Sequence, residues 1–486
     1  MLLASLPCGE ATPISAGPIS LGIDLATSNA RVLAVDFSEQ ATVVGEVAAP
    51  LSAPEFSDGA RARQRPTYPA VVADLLDRLA GQLGARMRDV TAISVTATSG
   101  TVVGVNHSGD PAGPALLYSD RSAVDLLERI DQFDHAGRPT DSLARMAEIY
   151  REFQPAKIVT SADTVTAFLT GSTDLPSDTS HTLKAGVDTA TNQWPEETLA
   201  ALGLPDQAIP ALVSPGAVLG SLDATAAQRW NMSPEVLIVA GMTDGCTSQI
   251  ATGALAVGDT VGVLGTTLVL KGSAAVDIRE PRLGVYSHRS PDGTFLPGGA
   301  SNIGGASLPI EANAERLVEM TSAVVAGGLS AEVVYPLPRP GERFPFYHPT
   351  ATALGMDTWA SPEESFPAVV QAIAMVERLG RETLGRLGVP LQHHVVSGGA
   401  ASSEPMNRLR ATLVGQPVVV PEFFDSAVGA AILAGATAAG SELADFSARH
   451  GAKGTTADPL EGQRQEAEQV YGAFLDMLRA AGYLGD

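Results

Sequence analysis

The sequence predicts an α/β protein made of two large domains, and three observations carry that expectation. The chain has 486 residues, more than one core ordinarily organises, since domains run to about 100–200 residues. Strand-length apolar runs alternate with stretches of helical periodicity, the pattern of sheets covered by helices. One short plan, an apolar run, a small-residue turn and a second apolar run, occurs at Leu21–Asp36 and again at Val261–Leu270. That repetition suggests an internal duplication.

Order is expected from about Leu21. Residues 1–18 carry no basic leader region and read as a disordered extension, not a signal peptide. Leu21, Ile23 and Leu25, then Val32, Leu33 and Val35, flank a Thr27–Ser28–Asn29 turn, so two strands are expected. Val72, Leu75, Leu76 and Leu79 give Tyr68–Leu83 a helical face. The strand Ala92–Thr96 should run into the polar loop Thr98–Thr101, with Val102–Asn106 leaving it. A second block begins near residue 237, where the strand Leu237–Ala240 ends at Gly241–Met242–Thr243–Asp244–Gly245. Phe366–Leu387 reads as a long helix burying Ile373, Val376 and Leu379. A strand at His394–Val396, the turn Ser397–Gly398–Gly399–Ala400 and a helix from about Glu404 follow. The strand Val418–Val420, an alanine-rich helix Ser426–Ala439 and a last helix Gln463–Ala480 close the chain.

Composition narrows the function classes. Hydrophobic residues make up 45% and charged residues 17%, which suits a globular chain. Acidic residues outnumber basic ones 54 to 31, for a net charge of −23. That balance argues against a general nucleic-acid or membrane-surface binder, yet a local dipole or a metal ion can still hold an anion. The two cysteines, Cys8 and Cys246, form no metal or redox spacing. A reducing, cytoplasmic setting is expected. No apolar run approaches the roughly 20 residues of a membrane span.

Common catalytic signatures are missing: no Gly-Lys-Ser/Thr phosphate loop, no GxGxxG between strand and helix, no HExxH and no GxSxG. Polar turns at strand ends remain. Asp24 interrupts an apolar strand just before a turn of small residues. A carboxylate there costs solvation unless it meets a cation or donors, although it could also serve its own turn. Asp244 follows a short buried strand, where it could cap a helix or act as a base. The donor-rich turn Gly265–Thr266–Thr267 about twenty residues on favours the second role, because phosphoryl transfer to an alcohol needs both a proton acceptor and phosphate-binding amides. Gly398–Gly399–Ala400 before a helix suits a planar ring or a phosphate, and equally a tight turn. Ser99 could bond a sugar or simply its loop. Cys246 reads as a small buried hydrophobe, and His288 and His348 as structural or surface residues.

Taken in order, LGIDLATSNARVLAVD (residues 21–36), GMTDGCTSQIATG (241–253), GVLGTTLVLK (262–271) and SGGA (397–400) resemble the FGGY family of carbohydrate kinases. The likeness covers most of residues 19–440. Within that family TSGT (98–101), GVYSH (284–288), GGASNIGGA (298–306) and YPLPRPGERFP (335–345) are most similar to the D-ribulose kinases of cyanobacteria and plants, also called xylulose kinase-like. The Met-His-Gly of bacterial xylulokinases is absent where Ser99–Gly100–Thr101 stands. The resemblance implies two ribonuclease-H-like domains of the actin and hexokinase type with a catalytic cleft between them. It implies a sugar-binding domain over 19–250 and a nucleotide-binding domain over 251–486. ATP and Mg²⁺ would be required, with Asp24 meeting the metal through water. Asp244 would activate the sugar hydroxyl. Asp24, Ser28, Asn29, Ala30 and Ser99 would hold the sugar. Thr27, Gly265, Thr266 and Thr267 would face the phosphates. Gly304, Gly305, Gly398, Gly399, Ala400 and Asn407 would border the rest of the nucleotide. Ala26 and Ala97 stand where the family commonly has glycine.

The expectation is therefore ATP-dependent phosphorylation of a free ketopentose, D-ribulose first, at its terminal hydroxyl. The alternatives are D-xylulose or another sugar or polyol, an actin- or chaperone-like ATPase, and a non-catalytic sugar sensor. The expected partners are a sugar and ATP, with no nucleic acid or membrane; a homodimer is left open.

Overall fold

The computed structural model describes residues 17–57, 60–310, 314–357, 359–451 and 454–485. Of the expected extension, residues 1–16 lie outside that range, as does Cys8. Among the described residues, the strands form sheets of six, seven and five strands and one two-strand pairing.

The six-strand sheet runs in the order Val218–Ser221, Leu237–Val239, Val90–Ala97, Ile19–Leu25, Asn29–Asp36, Thr42–Pro50. The seven-strand sheet runs Tyr286–Arg289, Phe295–Ser301, Leu268–Gly272, Thr260–Leu264, His394–Ser397, Val418–Val420, Thr455–Ala457. Each contains an antiparallel meander whose first strand is flanked on its other side by two parallel strands. The repetition suggested by the two hairpins thus extends to strand order and direction.

Ile19–Leu25 is buried along its whole length, because helices cover it on both faces. The helix Tyr68–Leu83 packs its Val72, Leu75, Leu76 and Leu79 stripe into the first core. The alanine-rich helix Ser426–Ala438 covers the other face, although it lies some 400 positions later in the chain. Small residues let it approach closely: a Cβ on Gly22 would lie 1.7 Å from the Ala427 carbonyl oxygen, and one on Gly429 equally close to that of Thr247. The same helix therefore locks Ile19–Leu25 to the Asp244–Ala251 helix.

The second core collects around the helix Pro362–Arg386. It begins four residues before the expected Phe366. The hydroxyl of Ser361 accepts from the Glu364 amide and Pro362 sits in the first turn, a start signal outside the apolar stripe. No single helix among the described residues is long and apolar enough to cross a membrane.

Candidate active site

The parallel strands Leu237–Val239, Val90–Ala97 and Ile19–Leu25 end side by side. Leu25 lies opposite Ala97, and Ala97 is bridged to Thr243. Three expected site segments, the Asp24 turn, the Ser99 loop and Asp244, therefore share one sheet edge, the usual position of a ligand crevice in such sheets.

Asp24 is 4% exposed. Its Oδ2 accepts from Arg31 Nη2 at 3.0 Å and from Ser426 Oγ at 2.8 Å, while Oδ1 is buried with no partner among the described residues. Burial raises its pKa against the opposing pull of Arg31 and Ser426, and the negative charge of Asp244 raises it further. The two carboxylates are thus close enough to feel one another. Arg31 also reaches Asp425, which caps the Ser426 helix. The turn is closed by the Ala26 amide donating to the Asn29 carbonyl at 3.0 Å. Neither Ala26 nor Asn29 has a positive φ, so alanine fits there without strain. Ser28 is exposed and Thr27 and Asn29 half-buried, whereas the Ala30 side chain is turned fully into the core. Only the backbone of Ala30 is available to a ligand.

Asp244 is half-buried in the first turn of its helix. The capping position belongs to Thr243, so Asp244 is not consumed as a cap. Its Oδ1 accepts from the Gly245 amide at 2.7 Å. Ser99 Oγ is buried and has no hydrogen-bond partner among the described residues.

The sequence reading missed the group behind this edge. The carboxylate of Asp178 accepts from His181 Nδ1 at 2.6 Å, and His181 Nε2 accepts the Ala97 amide at 3.1 Å. The ring therefore carries its single proton on Nδ1. Ser180 Oγ accepts from the Thr243 amide at 3.2 Å and lies 3.0 Å from His288 Nδ1. His288 is buried; burial first, then the charges of Lys271 and Lys184, push its pKa well below the usual value. This network ties the Ser99 loop, the start of the Asp244 helix and the second sheet together.

On the second sheet, the turn at Gly265–Thr267 is exposed at Gly265 and Thr266 and closed by the Gly265 amide on the Thr267 carbonyl. The Gly305 and Ala306 amides donate to the carbonyls of Gly265 and Thr266 at 2.8 and 3.0 Å, so Gly304 and Gly305 do lie against this turn. Buried Glu342 sets that loop: it accepts from Ser301 Oγ, the Asn302 amide and Tyr335 Oη. Gly398 has φ +88°, and a Cβ there would lie 2.4 Å from the Leu264 carbonyl oxygen. Gly399 is exposed. Asn407 is 3% exposed, donates to the Ala401 carbonyl at 2.7 Å and, among the described residues, leaves its Oδ1 unpartnered beside a cavity of about 420 Å³. Cys246 is fully buried, as expected, and receives Lys271 Nζ at 3.4 Å.

No group of three or more His, Cys, Asp or Glu among the described residues is placed to hold a metal. The unpartnered Asp24 Oδ1 and the neighbouring Asp244 can assist a cation carried by a ligand's phosphates, and they fit that role better than a resident metal centre.

Residues 286–438 match the C-terminal domain of the FGGY family of carbohydrate kinases. The chain is 26% identical over 492 residues to a xylulose kinase of Streptomyces coelicolor, covering 95% of this chain and 96% of that one. Its fold is similar to that of a xyloylose kinase from Brucella ovis (TM-score 0.83, 21% identity, 96% and 100% coverage). It is also similar to that of a xylulose kinase from Rhodospirillum rubrum (TM-score 0.81, 22% identity, 95% and 98% coverage). The fold is the two-domain actin and hexokinase type. The family match spans residues 286–438, and curated relatives of the chain are named xylulose kinase, glycerol kinase and gluconokinase.

Proposed function

We propose that the chain transfers the γ-phosphoryl group of ATP to the terminal hydroxyl of an open-chain sugar, with Asp244 as general base. The observation that carries this reading is the pairing of Asp244 with Asp24 at one strand-end edge beside the unpartnered Ser99 hydroxyl. Asp244 takes the hydroxyl proton as the new O–P bond forms and the bond to the bridging oxygen of ADP breaks. Asp24, Ser99 and the turn over residues 28–30 hold the sugar, with Ala30 contributing backbone only. Thr27 and the Gly265–Thr267 turn face the phosphates, and Gly304, Gly305, Gly398–Ala400 and Asn407 border the nucleoside. When bound, Mg²⁺ supplies positive charge to the phosphates, and Asp24 is the residue we assign to its hydration shell. Residues 19–250 would form the sugar side and 251–486 the nucleotide side.

D-Ribulose is the first candidate, on the likeness of residues 98–101, 284–288, 298–306 and 335–345 to D-ribulose kinases. D-Xylulose is the second, because relatives along the whole chain are named xylulose kinase. The test is ADP release by the purified chain with D-ribulose, D-xylulose, L-ribulose and glycerol, repeated with Asp244→Asn. One ketopentose should stimulate ADP release, and the variant should lose about 10²–10⁴-fold in turnover while binding ATP as before. ATP turnover that no sugar stimulates would favour the ATPase reading, and an undiminished variant would remove Asp244 from the mechanism.

A further inference from the structure

Next to the Ser99 loop lies a cavity of about 430 Å³ whose walls come from both halves of the chain. Five cationic side chains line it, Arg121, Arg145, Lys184, Lys271 and Arg343, against one carboxylate, Asp141. Among the described residues, no ion pair joins any of the five to a carboxylate. In a chain of net charge −23, with acids in excess, that is a local reversal of sign. Arg145 makes the point most sharply. It is 2% exposed, and its donors go to the Gly100 and Asp120 carbonyls and to Ser142 Oγ, all of them neutral. Asp141 and Asp120 act on it through space without pairing with it, and a buried guanidinium with no paired carboxylate is costly unless something negative arrives. Lys184 lies over the face of Tyr286, at 6.0 Å, and Lys271 Nζ donates to the Cys246 sulfur, neither of them a counter-charge.

The cavity belongs to the acceptor side. A Cβ on Gly100 would touch Arg145 Nη2 at 2.9 Å and approach Lys184 Cδ at 3.7 Å, which places both cations under the Ser99–Gly100 loop. A Cβ on Gly245 would meet Lys271 Cε at 3.3 Å, so Lys271 flanks the Asp244 helix. The expected nucleotide residues do not line it. Lys271 stands five strand positions beyond Thr266, about 16 Å along an extended chain. The triphosphate turn and the cationic wall are therefore at different ends of the strand.

We infer that this cavity receives a negatively charged group, carboxylate or phosphate, on the end of the sugar remote from the hydroxyl that is phosphorylated. The inference rests on the kinase reading above and sharpens its substrate class: a sugar acid or a sugar phosphate is bound in preference to the neutral ketose of the same length. Arg and Lys that pair with no carboxylate suit both anions, and a planar guanidinium can take either in two-point fashion.

The test separates the two readings. Binding to the full chain is measured by calorimetry for D-xylonate, D-gluconate and D-ribulose 1-phosphate, each against D-ribulose and D-xylulose, in the parent and in Lys184→Gln and Arg121→Gln. ADP release is measured with the same compounds. An anionic compound should bind about 10- to 100-fold more tightly than the ketoses. That preference should fall at least about tenfold in either variant and weaken with added salt. The carboxylate and phosphate arms identify which anion is taken. Acids and phosphates that bind no better than ketoses, or a preference indifferent to both substitutions, overturn the inference. Should the ketoses alone stimulate ADP release, the kinase reading stands and this inference falls. Should no compound stimulate it, the kinase reading falls, and the calorimetry still decides whether the cavity selects anions.

Discussion

Replacing Glu377 by glutamine probes the charge cluster behind the strand that leads to the Gly265–Thr267 turn. Glu377, Arg410 and His394 are fully buried. Arg410 forks onto the carboxylate, with Nε and Nη2 each 2.6 Å from an oxygen, and Nη2 also donates to the Gly262 carbonyl at 2.8 Å. His394 Nε2 lies 3.0 Å from Oε1. Burial pushes the Glu377 pKa up, but Arg410 and His394 outweigh it and hold the group down to about 2, from an ordinary 4.5. A difference of that size contributes about 3 kcal/mol of stability at neutral pH. Because the folded value is the lower one, the contribution is full above the unfolded pKa and drains as pH falls toward the folded one. About 1 kcal/mol should be gone by pH 4 and about 2 kcal/mol by pH 3. Glutamine keeps the shape and one acceptor but leaves the Arg410 charge uncompensated, a loss of about 3–5 kcal/mol in comparable pairs. Urea unfolding followed by circular dichroism, from pH 7 to pH 3, measures both effects. The parent should lead the variant by about 3–5 kcal/mol at pH 7, with the gap closing by about 2 kcal/mol at pH 3. A gap below about 1 kcal/mol at pH 7, or one that stays constant with pH, would refute this account of the cluster.

Two further substitutions address the site. Gly304 has an extended backbone that any residue can adopt, but a Cβ there would lie 2.5 Å from Thr267 Cα and 2.7 Å from the Thr266 oxygen. Gly304→Ala should therefore displace the turn and raise the KM for ATP about 10- to 100-fold while the KM for the sugar stays within about twofold; equal changes in both would detach Gly304 from the nucleotide. Asp178→Asn places an amide donor against the His181 Nδ1 hydrogen. The ring should then move its proton to Nε2, facing the Ala97 amide, at a stability loss of about 1–3 kcal/mol. Nitrogen NMR of the imidazole should report the changed tautomer, and an unaltered spectrum would argue that Asp178 does not set it.

Much of the frame was legible because local pattern and tertiary demand agree. The strands around Thr27–Ser28 and the stripe in Tyr68–Leu83 appear where alternation and helical spacing put them. Asp24 stood out as a polar residue in a strand that had to be buried. Its partner was within reach of the same reasoning: a hairpin symmetric about residues 27 and 28 pairs Leu25 with Ala30 and so Asp24 with Arg31. Asp178, Ser180 and His181 were not legible. They lie largely in irregular chain, and their function comes from Ala97, Thr243 and His288, about 60–110 positions away. Glu377 and Arg410 looked like ordinary helical charges until the fold buried both.

The cationic cavity shows most clearly what a sequence sum conceals. A net charge of −23 argues against a broad basic surface, because such a surface needs many cations spread over one face. It says nothing of a small local cavity, since screening confines exposed charges to about 8–10 Å while a partly buried group is screened far less. Arg121, Arg145, Lys184, Lys271 and Arg343 are spread over more than 200 positions, and no two share a motif. The topology sets them around one space by laying the Asp141–Phe153 helix opposite the strands Leu268–Gly272 and Phe295–Ser301. The side chains that line it are five cations and one acid, a local balance opposite in sign to the charge of the whole chain.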